Sequence, residues 1–287
     1  MKTIYKSPEA KHAILELYDK QLARLDCAWE DRFVDTSFGT THLIVAGNPQ
    51  GIPLLVFHGG NATTAYNLLA CPYLLEDFCV YAVDTIGHPG MSAETCLSPS
   101  NDDYGVWAAE VIGALGFESM RCFAGSFGAG IVAKLMCAAP QRVERAVLCV
   151  PSGIKNAPAW HSMSMMAPMI AYWLTRKESW FVKTILPMSI TEEAIDTDTL
   201  ETARASIDGS KIKVGMPSDV DPERMGKCQA ETLVMAAERD CLFPASGVIP
   251  QAEHIIPHCT TYLLRDRGHI HRLTEDEKSM ILEFLKK

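Results

Sequence analysis

The chain has 287 residues, of which 48% are hydrophobic and 21% charged, with 26 basic against 35 acidic side chains. This composition excludes a disordered chain, which would be far less hydrophobic and more charged. The net charge of −9 and the absence of a basic run argue against nucleic acid as a partner, because phosphate contacts need clustered Lys and Arg. We therefore expect a globular protein of one large domain or two small ones.

The N-terminal residues, the apolar runs and the cysteines bear on localisation. The first 30 residues carry Lys, Glu and Asp throughout, so we expect no secretory signal peptide. The longest apolar stretch, residues 163–174, is too short to span a bilayer, and we predict no membrane partner. The ten cysteines are scattered, with no CxxC and no Cys/His ligand cluster. We expect a cytoplasmic protein without a metal site, in which most cysteines are small buried hydrophobic residues.

The predicted elements alternate between strands and helices. An amphipathic helix is predicted over residues 8–25, with Ser7 as its N-cap and Pro8 in its first turn. Strands are predicted over residues 32–36, 40–46, 53–57, 80–83, 120–124, 146–150, 232–237 and 260–264, the first two forming a hairpin. Further helices are predicted over residues 104–115, 129–139 and 274–285. Buried strands in this alternation predict an α/β protein with a mostly parallel central β-sheet and helices on both faces.

One segment interrupts the alternation. Residues 154–227 contain several helical stretches rich in Met, Trp and Phe but no convincing strand. We interpret this segment as an inserted helical cap, or lid. The predicted division is an N-terminal helix over residues 1–30, an α/β core over residues 31–153 and 228–287, and the cap over residues 154–227.

A candidate nucleophile lies where a predicted strand runs directly into a helix. Residues 120–130 read MRCFAGSFGAG, with Ser126 at the turn between small neighbours. A sharp strand-to-helix turn needs such neighbours because its backbone is strained and other chains approach it closely. The turn presents the hydroxyl above a helix N-terminus, which favours developing negative charge.

A serine hydroxyl needs an adjacent base, and that base needs an orienting acid. Asp240 follows the strand over residues 233–237 and is the candidate acid, with Glu238, nearer the strand end, as the substitute. His269, directly after Gly268 in the loop that follows the last strand, is the candidate base. His271 is its rival.

Acyl transfer also needs two N–H donors for the oxyanion. The residue after the nucleophile, Phe127, supplies one candidate donor. The loop after the third strand reads His58-Gly59-Gly60-Asn61, in which Gly60 is the second candidate. Small residues there let the backbone approach a ligand. The loop over residues 84–92 is interpreted as structural, because it turns the chain at the sheet edge.

Together these motifs resemble the α/β-hydrolase fold superfamily. The resemblance runs from about Arg32 to the C-terminus and is carried, in order, by these motifs: His58-Gly59-Gly60, Asp84-x-x-Gly87-x-x-Gly90-x-Ser92, Ala124-x-Ser126-x-Gly128, Asp240-x-x-x-Pro244 and Gly268-His269. It implies a Ser126–His269–Asp240 triad, an oxyanion hole from Gly60 and Phe127, and a cap over the site. Two features depart from the pattern: Ala124 replaces the usual first glycine, and the N-terminal helix lies outside the core.

Ser rather than Asp at position 126 argues against the branches that form an alkyl-enzyme ester. Acyl transfer to water remains, without a cofactor or metal, and the preferred function is hydrolysis of a small or medium, fairly apolar carboxylic ester. Candidate substrate-binding residues are Asn61 and the cap residues Met163, Met166 and Trp173, since Met adapts to irregular ligands. The cap side chains have an alternative role as the cap's own core.

Other activities would use the same residues. Thioester, lactone, C–C bond or peptide hydrolysis would need the same triad, and a lyase would use Ser126 and His269 without an acyl-enzyme. A small-molecule receptor on this fold with little turnover is the alternative from a different class. A homodimer is possible. Cys241, next to the candidate acid, predicts sensitivity to oxidation.

Overall fold

The computed structural model describes residues 3–211 and 215–287 and contains, within them, one eight-stranded sheet. Its strands, in chain order, are β1 (Trp29–Thr36), β2 (Gly39–Gly47), β3 (Ile52–Phe57), β4 (Phe78–Val83), β5 (Met120–Gly125), β6 (Val143–Cys149), β7 (Glu231–Ala237) and β8 (Cys259–Leu264). The spatial order is β1-β2-β4-β3-β5-β6-β7-β8. Only the β1–β2 and β2–β4 pairs of this sheet are antiparallel, and the other neighbours are parallel. The predicted fold class is confirmed.

Ten α-helices lie within the described ranges, in chain order α1 (Pro8–Leu22), α2 (Thr64–Ala70), α3 (Asp103–Ala114), α4 (Ser126–Ala138), α5 (Met166–Thr175), α6 (Glu178–Ser189), α7 (Thr197–Gly209), α8 (Pro222–Met225), α9 (Ala245–Ile255) and α10 (Glu275–Lys286). Short 3-10 helices cover Pro72–Leu74, Pro140–Arg142, Ala159–Met165 and Glu192–Ala194. Ser7 caps α1 as predicted, its hydroxyl accepting from the N–H of Ala10 at 3.2 Å. Each of these helices is too short or too polar to cross a membrane.

The sheet separates two hydrophobic cores. Alternate residues of a strand point to opposite faces, so Leu55 and Phe57 of β3 enter one core while Leu54 and Val56 enter the other. Helices α3, α4 and α9 contribute to the first core, and helices α1, α2 and α10 to the second. Strand β3 is therefore covered on both faces, which explains its continuous apolar run.

The segment over residues 154–227, called here the inserted segment, leaves the sheet after β6 and returns to it at β7. Its described residues form helices α5 to α8 and no strand of the sheet. Tyr172, Phe181 and Ile185 form a small core of its own between α5, α6 and α7. The division into domains, and a covering role for this segment, stay predictions.

Four helices differ from the prediction. Helix α4 begins at Ser126 rather than at residue 129, because the glycines that argue against a helix there are needed for close packing. Helices α2 and α9 were not predicted; α2 has only 7 residues, and α9 contains Pro250. Helix α1 ends at Leu22, three residues earlier than expected.

Candidate active site

The strand-to-helix turn holds Ser126 in a left-handed conformation. Its φ is +53°, in a region that costs a non-glycine residue about 1–3 kcal/mol. Gly128 makes the turn possible, because a Cβ on it would lie 2.6 Å from the carbonyl oxygen of Phe57 and 2.7 Å from that of His58. The turn therefore presses the start of α4 against the end of β3, with the Ser126 hydroxyl half-buried at the carboxyl edge of the sheet.

Three side chains from different strand ends form a continuous hydrogen-bonded chain. His269 Nε2 lies 2.8 Å from Ser126 Oγ, and His269 Nδ1 lies 2.7 Å from Asp240 Oδ2. The ring of His269 also packs edge-on against Phe243, with centroids 5.4 Å apart. Both distances are hydrogen-bonding distances, as a nucleophile, its base and the acid that orients the base require.

The environment of Asp240 keeps it ionised. Its side chain is fully buried, and its Oδ1 accepts hydrogen bonds from the backbone N–H groups of Leu242 at 2.7 Å and Phe243 at 3.0 Å. Burial alone raises the pKa of this carboxyl, but the charge and hydrogen bond of His269 and the two backbone donors outweigh burial and leave the pKa below its ordinary value. A buried carboxylate of this kind orients a histidine ring and stabilises its protonated form.

The alternative acid and base lie elsewhere. Glu238 is exposed, and its carboxylate accepts from the backbone N–H of Asp266 at 2.9 Å. His271 Nδ1 lies 3.0 Å from the carbonyl oxygen of Gly268 and 3.1 Å from that of His269. The structure thus brings Asp240 and His269 to the serine, and places both rivals in contact with loop backbone instead.

The glycine loop after β3 lies against the serine turn. A Cβ on Gly59 would be 3.6 Å from the Cβ of Ser126, and a Cβ on Gly60 would be 3.6 Å from the Cβ of Phe127. His58 anchors this loop: its Nδ1 donates to the carbonyl oxygen of Gly59 at 2.8 Å, and its Nε2 accepts from a backbone N–H of the loop after β4 at 3.1 Å. Burial lowers the pKa of His58, so the ring stays neutral and can accept.

A cavity of about 260 Å³ lies beside this pair of loops. It is lined by Ile4, Gly60, Asn61, Gly87, His88, Pro89, Phe127, Ser206, Ser210, Lys211, Gly215 and Met216. Both candidate oxyanion donors therefore belong to its wall. Within the described part of the chain, no group of three or more His, Cys, Asp or Glu side chains is arranged to hold a metal ion.

The geometry agrees with comparisons to known proteins. The family model described as alpha/beta hydrolase fold matches residues 52–181. The chain is 23% identical over 280 residues to carboxylesterase YbfK of Bacillus subtilis (strain 168), a match covering 94% of this chain and 92% of that protein. The crystal structure of that esterase, CesB (YbfK), superposes with a TM-score of 0.80 at 21% identity, covering 96% of this chain and 98% of the other. The chain has the α/β-hydrolase fold.

A second solved structure has the same fold. The naproxen esterase of Bacillus subtilis, carboxylesterase NP, superposes on this chain with a TM-score of 0.81 at 19% identity, covering 97% of this chain and 99% of the other. The likeness to both structures extends over almost the whole chain, so it includes the N-terminal helix and the inserted segment as well as the sheet. The N-terminal helix that departs from the core pattern is therefore part of the shared architecture.

The predicted substrate-binding residues fall into two groups. Asn61 lines the cavity, with its backbone at a φ of +55°, and its side-chain oxygen accepts from Ser206 at 3.3 Å. Met163, Met166 and Trp173 do not line the cavity; they are 66%, 61% and 54% exposed. The small core of the inserted segment consists of other side chains, so the structure does not support the alternative role of these three residues as that core. Their contact with substrate stays a prediction.

The sequence analysis does not identify several of the residues that line the cavity. The loop over residues 84–92 was interpreted as structural only, yet Gly87, His88 and Pro89 line the cavity. The ring of His88 lies 4.5 Å from that of Phe127, and burial lowers the pKa of His88 to about 3. Ile4 precedes the first helix and carried no signal at all. In the sequence, the cavity is indicated by the loop His58-Gly59-Gly60-Asn61, whose glycines let the backbone approach a ligand.

Proposed function

We propose that this protein is a serine carboxylesterase that hydrolyses small or medium, fairly apolar carboxylic esters through an acyl-enzyme on Ser126. The observation that carries the proposal is the hydrogen-bonded chain from Ser126 through His269 to a buried, ionised Asp240. Relatives named carboxylesterases, aligned over most of the chain, support the same reaction class. The cavity volume of about 260 Å³ lies below the usual range for drug-sized ligands and suits a small ester.

The first half of the reaction forms the acyl-enzyme. Ser126 Oγ attacks the ester carbonyl carbon while His269 Nε2 takes the hydroxyl proton, and Asp240 stabilises the resulting imidazolium. The carbonyl oxygen becomes an oxyanion that accepts from the N–H groups of Gly60 and Phe127. When the tetrahedral intermediate collapses, the bond to the alcohol oxygen breaks and His269 returns the proton to the leaving alcohol.

The second half releases the acid. Water enters where the alcohol has left and attacks the acyl carbonyl carbon, and its proton passes to His269 Nε2. The second tetrahedral intermediate uses the same two N–H groups. Its collapse breaks the bond to Ser126 Oγ, which recovers the proton from His269. The carboxylic acid is the product, and the enzyme is regenerated.

Labelling with a fluorophosphonate probe tests the nucleophile without knowledge of the substrate. The probe needs an activated serine, so wild-type protein should be labelled and Ser126→Ala and His269→Ala should not. His271→Ala is the matched control and should keep the label. Steady hydrolysis of a generic ester at a rate on the order of 1 per second or more should accompany labelling.

The other outcomes separate the alternatives. A folded wild-type protein that is not labelled, but whose melting temperature rises on ligand binding, would overturn the esterase proposal in favour of a receptor. Labelling without ester turnover, combined with cleavage that forms no covalent intermediate, would favour a lyase at the same residues.

A further inference from the structure

The N-terminal arm, defined as residues 3–24, is joined to helix α7 of the inserted segment by backbone hydrogen bonds. Lys6 N donates to the carbonyl oxygen of Gly209 at 2.8 Å, and Lys211 N donates to that of Ile4 at 2.6 Å. These bonds form an isolated antiparallel bridge between Tyr5 and Ser210. The arm therefore adds a short extended stretch alongside the end of α7, at the place where that end lines the cavity.

Helix α1 extends the same attachment. The amide of Gln21, which is 1% exposed, donates to the hydroxyl of Thr202 at 2.9 Å. Arg24 binds the carboxylate of Asp198 with two nitrogens, at 2.6 and 2.9 Å. A bidentate pair fixes direction as well as distance. The arm thus holds α7 along its whole length.

The arm is also attached to the core loop on the other side of the cavity. The hydroxyl of Tyr5 donates to the carbonyl oxygen of Gly90 at 3.0 Å and accepts from the N–H of the same residue at 3.1 Å. Burial raises the pKa of Tyr5 to about 12, so the hydroxyl stays protonated and able to donate. Ile4 N donates to Glu94 at 2.9 Å. The arm spans from the loop after β4 to α7, the two elements between which the cavity opens.

Ile4 is the arm's own contribution to the wall. Its side chain is 2% exposed and clusters with Tyr5 and Ile14, and the residue lines the same cavity as Gly60 and Phe127. A β-branched side chain is stiff, because few rotamers are open to it. Ile4 is therefore suited to limit what the cavity can hold.

The position of the cavity indicates which half of an ester enters it. The leaving alcohol must lie within reach of His269 Nε2, which protonates it. Among the residues that the structure describes, neither Ser126 nor His269 is part of the cavity wall, whereas Gly60 and Phe127, the candidate donors to the carbonyl oxygen of the acyl group, are. The group that points away from His269, and that stays attached to Ser126 after the alcohol has left, is the acyl group.

We propose that the N-terminal arm forms the outer wall of an acyl-binding pocket and that Ile4 sets the length of acyl chain that the pocket accepts. The ligand class is a short, uncharged aliphatic acyl group. This inference rests on the proposed esterase function. It gives the arm, which lies outside the catalytic strand ends, a direct role in substrate specificity.

Two changes at position 4 test the proposal in opposite directions. Ile4→Ala removes about three carbon atoms from the wall and should shift the preferred acyl length upwards by two or three carbons, each added methylene gaining about fourfold in kcat/KM. Ile4→Phe fills the pocket and should shift the preference towards acetate. The measurement is kcat/KM for p-nitrophenyl esters from acetate to octanoate, which share one leaving group.

Ile14→Ala is the matched control. Ile14 is 3% exposed in the same hydrophobic cluster, so the change removes the same atoms from the arm without touching the wall of this cavity. It should lower thermal stability about as much as Ile4→Ala does and leave the acyl preference unchanged. An equal shift in Ile14→Ala and Ile4→Ala would overturn the proposal, because the effect would then come from loosening the arm.

A second ester series separates the two halves of the substrate. Alkyl acetates of increasing alcohol length should give the same profile for wild type and Ile4→Ala; a shift in this series alone would assign the cavity to the alcohol and overturn the acyl assignment. Fluorophosphonate labelling of every variant is measured in parallel. Unlabelled wild-type protein would disprove the esterase function itself, whereas labelled variants with unchanged acyl profiles would disprove only the role of Ile4.

Discussion

Replacing Asp240 by Asn tests the orienting acid with little change in volume. The two oxygens of Asp240 have different partners: Oδ1 accepts from two backbone N–H groups, those of Leu242 and Phe243, and Oδ2 faces His269 Nδ1. The amide oxygen introduced by Asp240→Asn must occupy the Oδ1 position, because an NH₂ group there would meet two donors. The NH₂ group then faces His269 Nδ1 and can only donate to it.

The result is the wrong tautomer of the base. An imidazole that accepts at Nδ1 carries its proton on Nε2, so it cannot take the proton of Ser126. Loss of the correct tautomer in a serine triad lowers kcat by about 10⁴, which corresponds to about 5.5 kcal/mol of transition-state stabilisation. We expect a loss of this size for Asp240→Asn, with KM nearly unchanged because Asp240 is buried behind the ring.

The assay is ester hydrolysis under saturating substrate, with labelling rates as a second readout and a thermal melt as the check on folding. Glu238→Gln is the matched control, because it neutralises the other acid of the same loop, and it should change kcat less than about twofold. If Asp240→Asn kept more than about a tenth of kcat in a folded protein, the tautomer argument would fail. Loss of activity in Glu238→Gln instead would identify Glu238 as the acid.

Three further predictions concern the surroundings of the site. Burial lowers the pKa of His42, but the hydrogen bonds and charges of Asp84, 2.8 Å away, and Asp31, 2.9 Å away, together raise it above its ordinary value. The extra unfolding free energy of wild type over His42→Gln should therefore be complete below about pH 6.5 and shrink as pH rises through the folded pKa. Urea denaturation at about pH 6 and about pH 9 measures this difference. Burial raises the pKa of Cys241 to about 11, so its thiol stays protonated near pH 7. Contrary to the prediction from the sequence, peroxide treatment should therefore leave ester turnover unchanged. A loss of turnover that a thiol reductant reverses would contradict this. Gly128→Ala places a Cβ 2.6 Å from a β3 carbonyl oxygen and should cost about 1–3 kcal/mol of stability, seen as a lower Tm, whereas Gly113→Ala, whose nearest contact would be 3.4 Å away, should not.

The catalytic candidates could be predicted because they follow from a local rule. Ser126, Asp240 and His269 each lie in the turn or loop that follows a strand, and the carboxyl ends of parallel strands meet at one edge of the sheet. Once the strands are recognised from their apolar runs, three positions far apart in sequence are expected at one place. The structure brings these side chains together at hydrogen-bonding distances.

The cavity could not be predicted, because its wall follows from long-range packing. Ile4 lies in the cavity wall only because the arm pairs with the end of α7, and nothing in its sequence neighbourhood indicates that partner. Met163 and Trp173 are the opposite case, because the sequence predicts that they bind substrate but they do not line the cavity. Their residue types fit a ligand pocket, but type and helical spacing do not reveal which way a helix of the inserted segment faces, and the structure leaves both largely exposed.

His58 links the predictable part of the site to the unpredictable part. His58 is the first residue of the glycine loop that carries the candidate oxyanion donor Gly60, and its ring accepts from the N–H of Thr85 at the start of the loop that lines the cavity. The same ring nitrogen cannot accept once it is protonated, so the low pKa that burial gives His58 keeps the two loops joined at neutral pH. The N-terminal arm is bonded to that same second loop through Tyr5, so hydrogen bonds connect the arm, the loop that lines the cavity and the loop that carries the candidate oxyanion donor Gly60.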